Sequence, residues 1–376
     1  MRARELGIII GRLNPGPHNA ITDVSGVRIG HVTLIEGNGP LVVGKGPIRT
    51  GVTVVIPHEG NVWTEPVFAG FHRLNGNGEM TGTQWIQESG MLMSPIALTN
   101  THSVGVVRDA LVAIEAEERP PRDLFWGLPV VGETWDGVLN DVNGQHVKAE
   151  HVRQARARVT SGPLAEGNVG GGTGMICHGF KGGIGTSSRI LPSAIGGFTV
   201  GVLVQANQGR RERLRVNGVP VGEVIPTSEV PVPKVSPLSP QGRGSIIVVV
   251  ATDAPLLPNQ GARLAQRAAL GVGRVGGVGE HWSGDLFIAF STANRGMPAS
   301  DLRAPSPVTI PVTMYSNTYI SELFEAVVDA TEEAILNAML AAETMVGRDG
   351  ITAHRLDPDR LIDIMAHFGR APRTCT

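Results

Sequence analysis

The chain has 376 residues, 41% of them hydrophobic and 18% charged, a composition that excludes a disordered or collagen-like protein. A formal net charge of −2 gives no footing for nucleic-acid binding. Glycine is the outlier: 50 residues, about 13% and nearly twice the usual share, without a collagen period, so it points to tight turns and close backbone approaches. Two cysteines, Cys177 and Cys375, make no disulfide framework and predict free thiols in a reducing compartment.

The N-terminal stretch MRARELGIIIGRLNPGPHN has an apolar run of only Leu6 to Ile10 before Arg12 and Pro15, too short for a signal-peptide core. No run approaches the roughly 18 apolar residues of a membrane span, so a cytoplasmic protein is expected. Strand-like runs follow at 51–57, 199–205, 245–252, 285–291 and 308–314, rich in β-branched residues and flanked by Gly, Pro and Asn. Helical spacing marks 101–118, 259–270 behind Pro258, 317–346 and 357–368, the last opened by Asp357 and Pro358 and stopped by Gly369. Strands and helices do not alternate strictly, which favours mixed sheets covered by helices over a doubly wound parallel sheet.

The junction Gly244–Ser245 is the most informative point. Upstream, 225–244 (IPTSEVPVPKVSPLSPQGRG) holds five prolines and no periodicity. Downstream, Ile246 to Val250 is a continuous apolar run, as in a strand buried on both faces. A self-cleaving enzyme would expose an N-terminal nucleophile at such a place: glycine leaves the acyl side unhindered, and the released Ser245 would carry a hydroxyl and an α-amine titrating near pH 7.7–8.0. Gly-Ser is also common in plain linkers, so the dipeptide alone does not decide.

Familiar sites are missing: no GxSxG, HExxH or CxxC occurs. The Gly-rich stretch 166–189 fails both GxGxxG and the P-loop pattern, where Phe180 stands in the lysine position, and reads better as tight turns between close strands. The eleven histidines show no ligand spacing, so neither a metal nor an organic cofactor is expected. Three polar points do suggest chemistry. Asn207 ends the apolar run VLVQANQG, as an oxyanion donor would, or as a turn former would. Ser283 and Asp285 lie two apart at a strand entrance, as a proton relay or as an Asx turn. Glu133 beside Trp135 offers an anion and a flat ring to an ammonium group, or simply an acidic turn.

Taken in order, NAITDVSGVRIGHVTL, SPIALTNTHSVGVVRDA, PVVGETWDGVLND, GGTGMICHGFKGGIGTSSR, LVQANQG, GRGSIIVVVATDAPL and SGDLFIAFSTAN resemble the L-aminopeptidase D-amidase/esterase family, which includes the β-peptidyl aminopeptidases. The resemblance implies one domain over 1–376, cut at Gly244–Ser245 into an α chain (1–244) and a β chain (245–376). It implies an α/β fold, an αββα four-layer sandwich like that of N-terminal nucleophile hydrolases but differently connected, assembled as a homotetramer of αβ units. Ser245 then matches the nucleophile, Asn207 the oxyanion donor, Ser283 and Asp285 the relay, and Glu133 the acceptor of the substrate's amino group. Trp135 stands where some relatives carry a tyrosine hydroxyl as a further oxyanion donor. Expected substrates are small peptides, amides or esters. The rivals are an acyltransferase like the similarly folded ornithine acetyltransferases, which use threonine as nucleophile, and an uncut, non-enzymatic scaffold.

Overall fold

The structure, a computed structural model, describes residues 1–120, 124–236, 244–298 and 307–370. Positions 237–243 of the predicted linker and Cys375 lie outside the described residues. In chain order the strands of the two main sheets are β1 (Arg28–Glu36), β2 (Ile48–Ile56), β3 (Val67–Arg73), β4 (Ile96–Asn100), β5 (Val130–Thr134), β6 (Gly183–Ile190), β7 (Thr199–Ala206), β8 (Ile246–Thr252) and β9 (Asp285–Ser291). The covering helices are α1 (Val104–Glu118), α2 (Ala149–Ala157), α3 (Pro258–Val275), α4 (Ile320–Leu340) and α5 (Pro358–His367).

One sheet runs β1-β2-β4-β5 and the other β3-β9-β8-β7-β6, with Met91–Leu92 paired outside β3. Both are mixed: β4/β5 and β8/β9 are parallel, and the remaining pairs are antiparallel. Each parallel pair is joined by one helix, α1 in the first sheet and α3 in the second, as a parallel connection requires. Alternation along β8 explains the layering. Ile247, Val249 and Ala251 pack with Val55, Ile96 and Leu98 of the facing sheet. Ile246, Val248 and Val250 pack with Leu264 and Ala268 of α3 and Ala330 and Ala334 of α4. On the far side, Val52, Val54 and Val131 meet Val107, Leu111 and Ile114 of α1 and Val152 of α2. The result is helices, sheet, sheet, helices: the expected αββα sandwich, with both faces of each sheet covered.

The strands predicted at 51–57, 199–205, 245–252 and 285–291 all form. The run 308–314 does not: it is irregular, Val308 is fully exposed, and Thr313 is tied by a two-way pairing with the Asn294 amide. Pro307 and Pro311 lack the N–H groups a ladder needs there. The helix predicted at 317–346 is shorter, Ile320–Leu340, because Met345–Val346 pairs instead with Thr352–Ala353. The one predicted at 259–270 is longer, since Val272 and Val275 extend its buried face. Asp357 caps α5 as expected, accepting the N–H groups of Asp359 and Arg360. The Gly-rich stretch forms a turn at Gly170–Gly172, a small hairpin, then β6.

Candidate active site

Strand register alone gathers the predicted residues. In the parallel pair, Ile246 is opposite Asp285, so Ser245 and Gly284 stand side by side just before their strands. In the antiparallel pair, Ala206 is opposite Ile246, so Asn207 leaves β7 beside Ser245 and its N–H donates to the Ser245 carbonyl at 3.1 Å. The facing sheet contributes the carboxyl ends of its own parallel pair, with Thr99 opposite Glu133. Between the two ends lies a cavity of about 610 Å³ lined by Ser245, Gly244, Glu133, Trp135, Thr101, Asn77, Gly78, Glu79 and Trp282. Asn207, Ser283 and Asp285 are buried next to it and are not part of that lining.

Ser245 is nearly buried, and its Oγ accepts the Gly284 N–H at 2.9 Å. Gly284 sits between Ser283 and Asp285, whose side chains join each other, Ser283 Oγ donating to Asp285 Oδ1 at 2.5 Å. Asn75 clamps Asp285 twice, accepting its backbone N–H at 2.5 Å and donating to Oδ2 at 3.2 Å. Burial raises the Asp285 carboxyl to about 6, against the pull of these hydrogen bonds. A side chain at position 244 would place its Cβ 1.7 Å from the Asn207 carbonyl oxygen, so only glycine fits before Ser245.

The Asn207 amide is oriented at both ends. Oδ1 accepts the Ile176 N–H at 2.7 Å, and Nδ2 donates to the Trp135 carbonyl at 2.9 Å. Those partners fix which end is nitrogen, and one N–H of the amide is left over to donate. Glu133 is 3% exposed; Oε1 accepts the Glu79 N–H at 2.9 Å and Oε2 the Thr101 hydroxyl. Burial lifts its carboxyl above the ordinary range, and both hydrogen bonds draw it back toward the anion. The Trp135 ring is half-buried on the cavity wall.

Sequence reasoning missed Thr101, Asn75, Asn77, Gly78 and Glu79. Their signal was the run Asn75-Gly76-Asn77-Gly78, which reads as turn punctuation. It is a turn, but Gly78 also lies against Gly284, where a Cβ would sit 2.4 Å from the Gly78 Cα, and this contact brings Glu79 to Glu133. Among the described residues, no group of three or more His, Cys, Asp or Glu is arranged to hold a metal. No helix there is long and apolar enough to cross a membrane.

The model of peptidase family S58 matches residues 19–353. The chain is 50% identical to the β-peptidyl aminopeptidase BapA of Sphingosinicella microcystinivorans, over 98% of this chain and 93% of that one. Among solved structures it is similar to a Burkholderia sp. β-aminopeptidase, with 54% identity, a TM-score of 0.90 and coverage of 98% and 99% of the two chains. It is also similar to the L-aminopeptidase D-Ala-esterase/amidase of Ochrobactrum anthropi, described as a prototype for the serine aminopeptidases and a new variant among the Ntn hydrolase fold. There the identity is 45%, the TM-score 0.87 and the coverage 98% and 99%. With matches of this extent, the chain belongs to peptidase family S58 and is a hydrolase of the aminopeptidase type.

Proposed function

We propose that the chain cuts itself at Gly244–Ser245 and then works as a serine aminopeptidase. In the first step Ser245 Oγ attacks the Gly244 carbonyl, the acyl group passes from nitrogen to oxygen, and water hydrolyses the ester. This leaves a carboxylate on Gly244 and a free α-amine on Ser245. A substrate then enters with its ammonium against Glu133. Ser245 Oγ attacks the first carbonyl, and its proton passes to the α-amine or to the Ser283–Asp285 pair. The oxyanion is met by the free N–H of Asn207; one such donor is typically worth about 3–4 kcal/mol. The leaving amine takes a proton, and water releases the acyl-enzyme. No step calls for a metal or an organic cofactor.

The observation that carries this reading is the cavity that Ser245 and buried Glu133 line together, with glycine before the serine and a buried strand behind it. Trp135 and Trp282 give that cavity flat walls suited to small acyl groups and amines. Short peptides, amides and esters are the proposed substrates, and the names of the relatives point to β-amino acyl residues among them. A cytoplasmic homotetramer of αβ units, without nucleic-acid partners, completes the proposal.

A denaturing gel tests it. The 39.6 kDa chain should give fragments of about 26 kDa (1–244) and about 14 kDa (245–376), the smaller beginning Ser-Ile-Ile-Val. Ser245→Ala should stay whole, because it removes the attacking oxygen. A single intact wild-type band after long incubation at neutral pH would overturn the self-processing reading.

A further inference from the structure

Lys181 is fully buried, yet among the described residues its ammonium reaches no carboxylate. Its three N–H groups go instead to three backbone carbonyls, those of Gly182 and Met175 at 2.8 Å and of Gly172 at 3.3 Å. An ammonium has three donors and no acceptor, so the match is complete only while the group carries its proton. Cys177 and Asp136, the latter from the turn after β5, act on it electrostatically without touching it, and the Cys177 thiol is itself neutral because burial pushes it up to about 12. Burial draws the Lys181 pKa down to about 7. A charge held without a counter-ion is costly compared with a hydrophobe of the same length. Packing alone does not account for it.

The three carbonyls belong to one loop, and that loop has one outward contact of chemical interest. Ile176–Cys177 and Phe180–Lys181 form a hairpin in which Ile176 is opposite Lys181. The turn His178-Gly179 has both residues at positive φ, 49° and 74°, as a two-residue hairpin of this kind requires. On the next rung the Gly182 N–H donates to the Met175 carbonyl at 2.9 Å. Ile176, between those rungs, points its N–H away from the hairpin, at Asn207 Oδ1. The Lys181 ammonium caps the carbonyl immediately before Ile176 and two others around it.

We propose that Lys181 is a positioning residue for the oxyanion amide: by tying the carbonyls of Gly172, Met175 and Gly182 it holds the Ile176 N–H on Asn207 Oδ1, and so aims the remaining Asn207 N–H at the reacting carbonyl. Asp136 does the matching service from the other side. It accepts from Asn100 at 3.1 Å and from Asn140 at 3.0 Å, and so steadies the turn that presents the Trp135 carbonyl to Asn207 Nδ2. Lys181 touches no substrate and acts only through Asn207, which rests on Asn207 being the oxyanion donor of the proposed function.

The test is a double-mutant cycle with Lys181→Met and Asn207→Ala, on alanyl and β-alanyl p-nitroanilides, with rates normalised to the fraction cut at Gly244–Ser245. A donor aimed only at the transition state affects kcat, so Lys181→Met should lower kcat about tenfold or more while KM moves less than about threefold. In the Asn207→Ala background the further loss should be under about twofold, since the amide it aims is gone. Lys181→Arg, which keeps charge and donors, should retain more kcat than Lys181→Met. Should Lys181→Met not fold, Ile176→Pro takes its place, since it removes the one N–H that meets Asn207 and should show the same non-additivity. An unchanged kcat, or an equal loss in both backgrounds, overturns the proposal. If Asn207→Ala itself keeps its kcat, the oxyanion reading of Asn207 fails instead, and the two failures are told apart.

Discussion

Glu133 carries two opposed demands, and they set its behaviour. A carboxylate so deeply buried resists ionisation, and the hydroxyl of Thr101 and the N–H of Glu79 supply only part of what water would give it. On the proposed function, an incoming ammonium supplies the rest. N-acetylated peptides, which bring no charge, should therefore be poor substrates. Glu133→Gln should lower kcat/KM for free amines and narrow the ratio between free and acetylated substrates, while self-cleavage persists because Gly244–Ser245 presents no amine. If wild-type enzyme cuts alanyl and N-acetyl-alanyl amides equally well, Glu133 does not select the amino terminus. Asp285 gives a separate pH signature. With its pKa raised to about 6, it is protonated below that pH and cannot take a proton through Ser283, so kcat should fall as pH drops through about 6. On the proposed function, bound ammonium holds Glu133 ionised in the enzyme–substrate complex, so a kcat limb near pH 6 belongs to Asp285, one near 7.7–8.0 to the Ser245 α-amine, and kcat/KM reports Glu133 as well. Asp285→Asn should lose the limb along with most of the rate; a wild-type kcat that stays flat down to pH 5 would count against the relay.

At the scale of elements, the chain announces long unbroken apolar runs and hides strands that are short or carry Gly, Thr and Ser, even where these are buried, as in β4, β5 and β6. β8 and β7 were legible as continuous apolar runs because sheet and helix both cover them. β1 and β3 were not, since their burial is partial and Gly30, His31, Gly70 and His72 interrupt any simple pattern. The run 308–314 has the composition of a strand but not the donors, and composition misled there. The site divides in the same way. Ser245, Asn207, Ser283 and Asp285 sit at the ends of strongly apolar strands, where a polar residue stands out. Thr101, Asn75 and Glu79 act from turns, through a hydroxyl, an amide and a backbone N–H that no local pattern marks. Glu133 was visible only as a charge in an apolar segment; its place opposite Ser245 depends on how two sheets face each other, which no spacing along the chain encodes.

At the scale of the molecule, the proposed cut does not separate two bodies. β3, β6 and β7 come from 1–244, β8 and β9 from 245–376, and the sheet interleaves them. Helix α4 adds a polar tie. Glu333 accepts from Arg189 at 2.7 Å and from Asn19 at 2.5 Å, both across the proposed chain boundary, and the Arg189–Glu333 pair is wholly buried. Removing one partner of a buried pair strands the other charge, which typically costs about 3–5 kcal/mol. Glu333→Ala, which also strands Arg4, should therefore lower the unfolding free energy read from urea titration by at least that measure and, if the chain is cut as proposed, ease separation of its two parts on a native column. A variant as stable as wild type would mean that Arg189 finds another partner or water.

The fit of Gly244 against the Asn207 carbonyl bears on how such an enzyme comes to life. The bond proposed for cleavage lies at the mouth of a central strand, where Ser245 is largely buried and opens only onto the cavity it lines. On the proposed function, activation belongs to the fold itself, and its rate should be first-order and independent of protein concentration.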